Sequence, residues 1–221
     1  MQHAPPRPRS HLMAALRRHG LVLALAGLCL AIELILAGAE RGLWGSVRWR
    51  VLAYLNGGFW AGLVRADWEG NYALQPVVMF LSHAVLHAGV THLATNLIAL
   101  LALGAAARAR VGPAGRAGLL VVSALGGGLA FAALGPLGQP MVGASGALFG
   151  LAGALIVWRA ADVRRAGGMP WDYMALGVAL MALNVLSAWA VGWQMAWEGH
   201  LGGFIAGGLA ALAIRPRPQA G

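Results

Sequence analysis

The chain has 221 residues, 59% of them hydrophobic and only 10% charged, and its mean hydropathy is +0.70. A soluble domain is typically about 45–50% apolar and about 25% charged, so a water-soluble enzyme is excluded and an all-α polytopic membrane protein is expected. The net charge of +9 is carried by arginine with no lysine; the arginines are scattered between apolar runs, where they set topology rather than form a nucleic-acid surface.

Residues 1–20 are basic and polar, with Arg7, Arg9, Arg17, Arg18 and three prolines (Pro5, Pro6, Pro8), and read as a disordered tail. The run 21–36 is apolar except for Glu33. It could be the core of a signal peptide, with Ala37-Gly38-Ala39 as the cleavage site, but its length and the membrane segments that follow favour an uncleaved first span. The single cysteine, Cys29, lies in this run, so no internal disulfide and no CxxC metal or redox site exists. Residues 40–75 are too polar to span, carrying Arg41, Arg48, Arg50, Arg65, Glu40, Asp67 and Glu69. Interleaved with them are Trp44, Trp49, Trp60 and Trp68, the composition of a long loop at the membrane interface.

Five further apolar stretches follow at 90–107, 117–134, 143–158, 173–191 and 199–214. Each approaches the roughly 20 residues needed to cross about 30 Å of hydrocarbon. The expected organisation is a six-span membrane domain over 21–214, flanked by cytoplasmic tails at 1–20 and 215–221. The positive-inside rule orients it. With the N-terminus inside, Arg7, Arg9, Arg17, Arg18, Arg108, Arg110, Arg116, Arg159, Arg164, Arg165, Arg215 and Arg217 are all cytoplasmic, leaving only the arginines of the 40–75 loop outside. Both termini are then cytoplasmic. The alanine, glycine and arginine bias suits a GC-rich bacterial genome and a multi-pass protein of the bacterial inner membrane.

Ionisable and polar residues inside a bilayer are costly and therefore mark functional sites. Those in or beside the spans are Glu33, Ser82, His83, His87, Thr91, His92, Asn96, Ser123, Ser145, Asn184, Ser187 and His200. The expected topology puts His92, Asn96, Ser145 and His200, from three different spans, at one level near the outer face. Ser145 lies in Gly143-Ala144-Ser145-Gly146. The loop chemistry before it, Gly135-Pro136-Leu137-Gly138-Gln139-Pro140, lets a helix start late with Ser145 in its first turn, where free N–H groups favour a developing anion. Small residues that merely let helices pack would give the same stretch.

His200 opens the last span, followed by Gly203 and Gly207 at i, i+4 spacing, which Gly146 and Gly150 repeat on the serine helix. Two such faces permit the close approach that a serine–histidine hydrogen bond needs. A histidine bonded to a carbonyl at a helix end is the simpler alternative. His92 and Asn96 share one helix face and could present donors to an oxyanion, or tie their span to the preceding loop. His83, His87 and His92 raise a metal site, but no carboxylate or cysteine completes it. Acids able to orient His200 are scarce, because Glu198 faces elsewhere and Asp172 belongs to the cytoplasmic end. A Ser/His dyad is therefore expected rather than a triad, and Glu33 has no identifiable partner.

The three motifs His92-x-x-x-Asn96, Gly143-Ala144-Ser145-Gly146 and His200-x-x-Gly203-x-x-x-Gly207, in this order on alternate spans, resemble the rhomboid family of intramembrane serine proteases. Phe80-Leu81-Ser82-His83-Ala84-Val85-Leu86-His87 is similar to that family's approach to its second span, and the likeness runs over about residues 40–214. One departure is Val78-Met79, where family members often carry Trp-Arg. The resemblance implies a six-span rhomboid-type bundle with Ser145 as nucleophile and His200 as general base. It makes His92, Asn96 and the Ser145 backbone N–H the oxyanion site, with Gly143 shaping the turn before the nucleophile. Phe149 would pack on the histidine ring, and Gly203 and Gly207 would admit the close helix approach. A polar cavity open to the outer face, lined by His87, His92, Asn96 and His200, would bring water to Ser145. The implied substrates are transmembrane segments of other membrane proteins, with no nucleotide, metal or organic cofactor and no nucleic acid. The competing readings are an inactive relative that binds membrane clients and a small transporter.

Overall fold

A computed structural model describes residues 8–214, 216 and 217, with side chains from residue 20 onward. In chain order the helices are α1 (Pro8–Glu40), α2 (Trp49–Gly57), α3 (Gly62–Arg65), α4 (Gln75–Ser82), α5 (Val90–Arg110), α6 (Pro113–Leu134), α7 (Ser145–Arg165), α8 (Trp171–Ala190) and α9 (Trp197–Ala213), with a 3₁₀ turn at His83–Val85 after α4. Among the described residues the only β pairing is a bridge between Phe59 and Met141.

Five helices are long and apolar enough to cross a membrane: Gly20–Glu40 of α1, then α5, α6, α7 and α8. The chain is a multi-pass integral membrane protein. The expected sixth span is a shorter element, because α9 has 17 residues and at 1.5 Å per residue reaches only about 25 Å. Its first turn, Trp197-Glu198-Gly199-His200, carries Glu198 and His200, and the helix packs closely against α6 and α7 while Ile205, Leu209 and Leu212 stay exposed. A further short apolar helix runs over Gln75–Val85.

Residues 8–19, expected to be disordered, continue α1 instead. Leu12, Met13, Ala14, Ala15 and Leu16 are good helix formers with no internal breaker, so the span's helix propagates back to Pro8, whose fixed φ suits a first turn. The rest of that tail, 1–7, lies outside the described residues, as do 215 and 218–221 of the other. Ala37-Gly38-Ala39 are helical, with Ala37 and Ala39 buried and the Trp44 ring lying over Gly38.

The 40–75 segment is a folded cap rather than an open loop. Val51, Leu52 and Leu55 of α2 are exposed, while polar ties run behind them. Gln75 is buried and accepts from the Asn71 N–H at 2.7 Å, and Asn71 Nδ2 donates to Leu55 O at 3.0 Å. Ser82 Oγ donates to Gly57 O at 2.7 Å. Phe59 is fully buried, edge-on to Phe80 and Phe131, and exchanges both 2.9 Å hydrogen bonds of its bridge with Met141. The cap is thereby stitched to the segment that leads into Ser145.

Glycine decides the core. A Cβ on Gly203 would overlap the carbonyl oxygen of Gly146, and one on Gly207 that of Gly150. Only bare backbone lets α9 lie this close to α7. Near the far end Trp158, almost fully buried, donates from Nε1 to Ala211 O at 3.0 Å and completes the α7–α9 contact. By contrast α8 packs lightly, mainly against α7 and α9, and is the least buried of the five membrane-length helices.

Candidate active site

The turn before Ser145 is set by sequence. Gly143 has φ +123°, a conformation that L side chains rarely adopt, and its N–H donates to His83 O at 2.9 Å. A Cβ there would also lie 2.7 Å from Cε1 of the His92 ring. Glycine is required twice over, by the backbone and by the neighbour. Beyond it Ser145 is the first residue of α7, so its N–H belongs to the helix's free first turn.

His200 is buried, and its Nε2 lies 2.7 Å from Ser145 Oγ. The Phe149 ring, one turn after Ser145, stacks on the imidazole with centroids 4.4 Å apart and planes 8° from parallel. On its other nitrogen, Nδ1, His200 meets Asn184 Oδ1 of α8 at 2.7 Å. The reading from sequence weighed only carboxylates for this position. Glu198 is instead buried with Oε2 unpaired among the described residues, and Asp172 sits in the first turn of α8. Asn184 was visible as a polar residue inside a span, and that was the available signal.

His92 Nδ1 accepts from the Ala88 N–H at 3.2 Å, which puts the proton of a neutral ring on Nε2. That nitrogen lies on the Gly143 side of the ring, 3.0 Å from where a Gly143 Cβ would sit. Asn96, one turn on, donates from Nδ2 to His92 O at 2.8 Å, leaving one N–H of its amide uncommitted. Its Oδ1 is buried without a partner among the described residues.

His87 is also buried, its ring 5.3 Å from that of His92. Burial, then the nearby His92, pushes its pKa down to about 4, so the ring is neutral at physiological pH. Its carbonyl accepts from Arg50 Nη1 at 2.8 Å and from Tyr54 Oη at 2.7 Å. Arg50 in turn pairs with Glu33 at 2.8 Å and Glu40 at 2.6 Å, and these carboxylates, Glu33 first, raise its already high pKa. The partner of Glu33 missing from the sequence reading is therefore Arg50, and this α1–α2 clamp anchors the loop that Val78-Met79 leaves without Trp-Arg. Met79 is instead fully buried in the cap.

One cavity reaching Ser145 is apolar. It is a groove of about 520 Å³ between α5, α7 and α8, with Asn96 and Ser145 at its polar end and Leu103, Leu155, Leu176 and Leu180 among its walls. Of the four residues expected to line a polar cavity only Asn96 does so. Phe59 of the bridged segment lies edge-on to His83, and both His83 and His87 are buried.

A polytopic helical membrane protein with a serine hydrogen-bonded to a buried histidine is the class that fold and site define. The Rhomboid domain matches residues 75–217, which takes in α4 to α9 and leaves the first three helices outside. The chain belongs to the rhomboid family. It is 33% identical over 139 residues to RHOMBOID-like protein 5 of Arabidopsis thaliana, covering 62% of this chain and 43% of that protein. To Rhomboid protease GluP of Bacillus subtilis (strain 168) it is 33% identical over 145 residues, covering 64% and 26%. It thus spans less than half the length of these curated relatives.

Proposed function

We propose that the protein is an intramembrane serine endopeptidase that cleaves transmembrane segments of other membrane proteins through a Ser145/His200 dyad. The observation that carries this is the 2.7 Å contact between His200 Nε2 and Ser145 Oγ, at the polar end of a groove with apolar walls. His200 takes the Ser145 proton as Oγ attacks the scissile carbonyl carbon. The oxyanion forms against the Ser145 N–H at the start of α7, His92 Nε2–H and the free N–H of Asn96. Collapse breaks the C–N bond, and the leaving amine takes the proton from His200. Water, deprotonated by the same ring, then hydrolyses the ester and restores Ser145. The groove between α5 and α8 suits an apolar segment arriving from the bilayer, whose backbone must unwind locally to reach Ser145. The arginine distribution supports a cytoplasmic position for both termini, and a bacterial inner membrane is the proposed location.

The test is reaction of the detergent-solubilised chain with a fluorophosphonate probe, wild type against Ser145→Ala and His200→Ala. Co-reconstitution with single-span membrane proteins and mapping of new N-termini accompanies it. Labelling and cleavage should disappear in both variants. Cleavage that persists in Ser145→Ala overturns the proposal.

A further inference from the structure

The hydrogen-bond chain behind His200 has a direction that follows from donor and acceptor chemistry alone. At its far end is the backbone carbonyl of Trp197, which can only accept. The Asn184 atom 3.0 Å from it is therefore the amide nitrogen, and the amide oxygen is turned to His200 Nδ1, 2.7 Å away. An amide oxygen can only accept as well, so the proton of the neutral imidazole sits on Nδ1. Nε2 is then left with its lone pair toward Ser145 Oγ, 2.7 Å away. This is the tautomer a general base needs, and a fixed oxygen opposite Nδ1 also stabilises the imidazolium that forms when Ser145 gives up its proton. Asn184 is buried, so no water competes for the bond, and the Phe149 ring stacked at 4.4 Å leaves the imidazole plane little freedom.

We infer that Asn184 is the positioning residue of the site, completing a Ser145–His200–Asn184 relay in which an amide from α8 fixes the tautomer and plane of the histidine. The inference rests on the proteolytic reading above and deepens it. It also gives α8 a defined part in the chemistry. That helix packs mainly against α7 and α9, and it lends Leu176 and Leu180 to the groove that ends at Ser145. Through Asn184, the helix that borders the groove also holds the general base.

The experiment follows labelling by a fluorophosphonate probe across pH, separating kinact from KI, for Asn184→Leu, Asn184→Asp and Ser145→Ala. Thermal melting of each variant is followed in parallel. Leucine keeps the volume and removes the acceptor; kinact should fall about 10- to 100-fold with KI within about twofold. Aspartate keeps an acceptor opposite Nδ1, so most of kinact should return. When ionised it favours the imidazolium, and the acid limb of the profile should move to higher pH. His92, which His200 also senses, and Glu198, two residues before it on α9, are the same in every variant. A purely structural tie between α8 and α9 would change melting without moving that limb. Wild-type kinact in Asn184→Leu, or an unshifted acid limb with kinact as low as leucine's in Asn184→Asp, overturns the role of Asn184. If Ser145→Ala still cleaves membrane substrates, it is the proteolytic reading itself that fails.

Discussion

Replacing Gly203 with alanine tests whether helix approach, and not only the presence of Ser145 and His200, makes the site. A Cβ at this position would sit well inside the van der Waals radius of the Gly146 carbonyl oxygen, which is backbone and cannot swing aside. Carbon and oxygen need more than 3 Å, so α9 must retreat from α7 by about 1 Å. His200 is three residues earlier on the same helix and moves with it. A 2.7 Å contact to Ser145 stretched by that amount lies outside the range of about 2.6–3.2 Å for a nucleophile and its base. A misplacement of this size costs about 100-fold in rate, while overpacking costs about 1–3 kcal/mol of stability. The control is Gly208→Ala, whose Cβ would meet Val157 Cγ2 at 3.5 Å and Gly153 O at 3.9 Å, both ordinary contacts, and which should label and melt like wild type. Fluorophosphonate labelling reports the site and thermal melting reports the fold. Wild-type labelling by Gly203→Ala would refute the argument that bare backbone contact sets the dyad.

Three further perturbations read other parts of the structure. Arg50→Ala strands the buried Glu33 carboxylate and should cost about 3–5 kcal/mol; a change under about 1 kcal/mol in an unfolding titration would show that the clamp does not hold the cap. Phe149→Ala removes the ring stacked on His200 and should lower labelling about tenfold, with Phe149→Tyr near wild type; equal labelling by alanine and tyrosine would dismiss the stack as a positioning element. Burial, first among its causes, holds the Tyr54 phenol above its ordinary pKa of 10.0. The folded chain therefore keeps that proton at pH values where the unfolded chain has lost it, so stability falls as pH rises above 10.0. Tyr54→Phe should flatten this part of the stability profile in alkaline melts and, at neutral pH, cost about 0.5–1.5 kcal/mol for the lost bond to His87 O.

What could be read from the sequence depended on whether the determining physics is local. The late start of α7 at Ser145 follows from Gly143 and the Pro/Gly loop before it, and the α7–α9 approach follows from glycines at i, i+4 on two spans. Both are statements about neighbours in the chain. Helix length was less legible, because α1 runs back to Pro8 and α9 stops at 17 residues; apolar runs mark where lipid or core begins, not where backbone hydrogen bonding ends. The contacts that escaped are those made across long stretches of chain. Arg50 meets Glu33 because the cap folds back on α1, and no periodicity relates positions 33 and 50. Asn184 meets His200 because α8 crosses α9 at that level, which depends on Phe204 lying close to Gly177, where a Cβ would meet its Cζ at 3.5 Å, as much as on the asparagine itself. The search for an orienting group failed for a chemical reason as well. At a position as buried as that of Asn184, an ionised carboxylate must itself be desolvated at considerable cost. An amide meets the same need for an acceptor without that penalty, which is why asparagine inside a span is as informative as an acid.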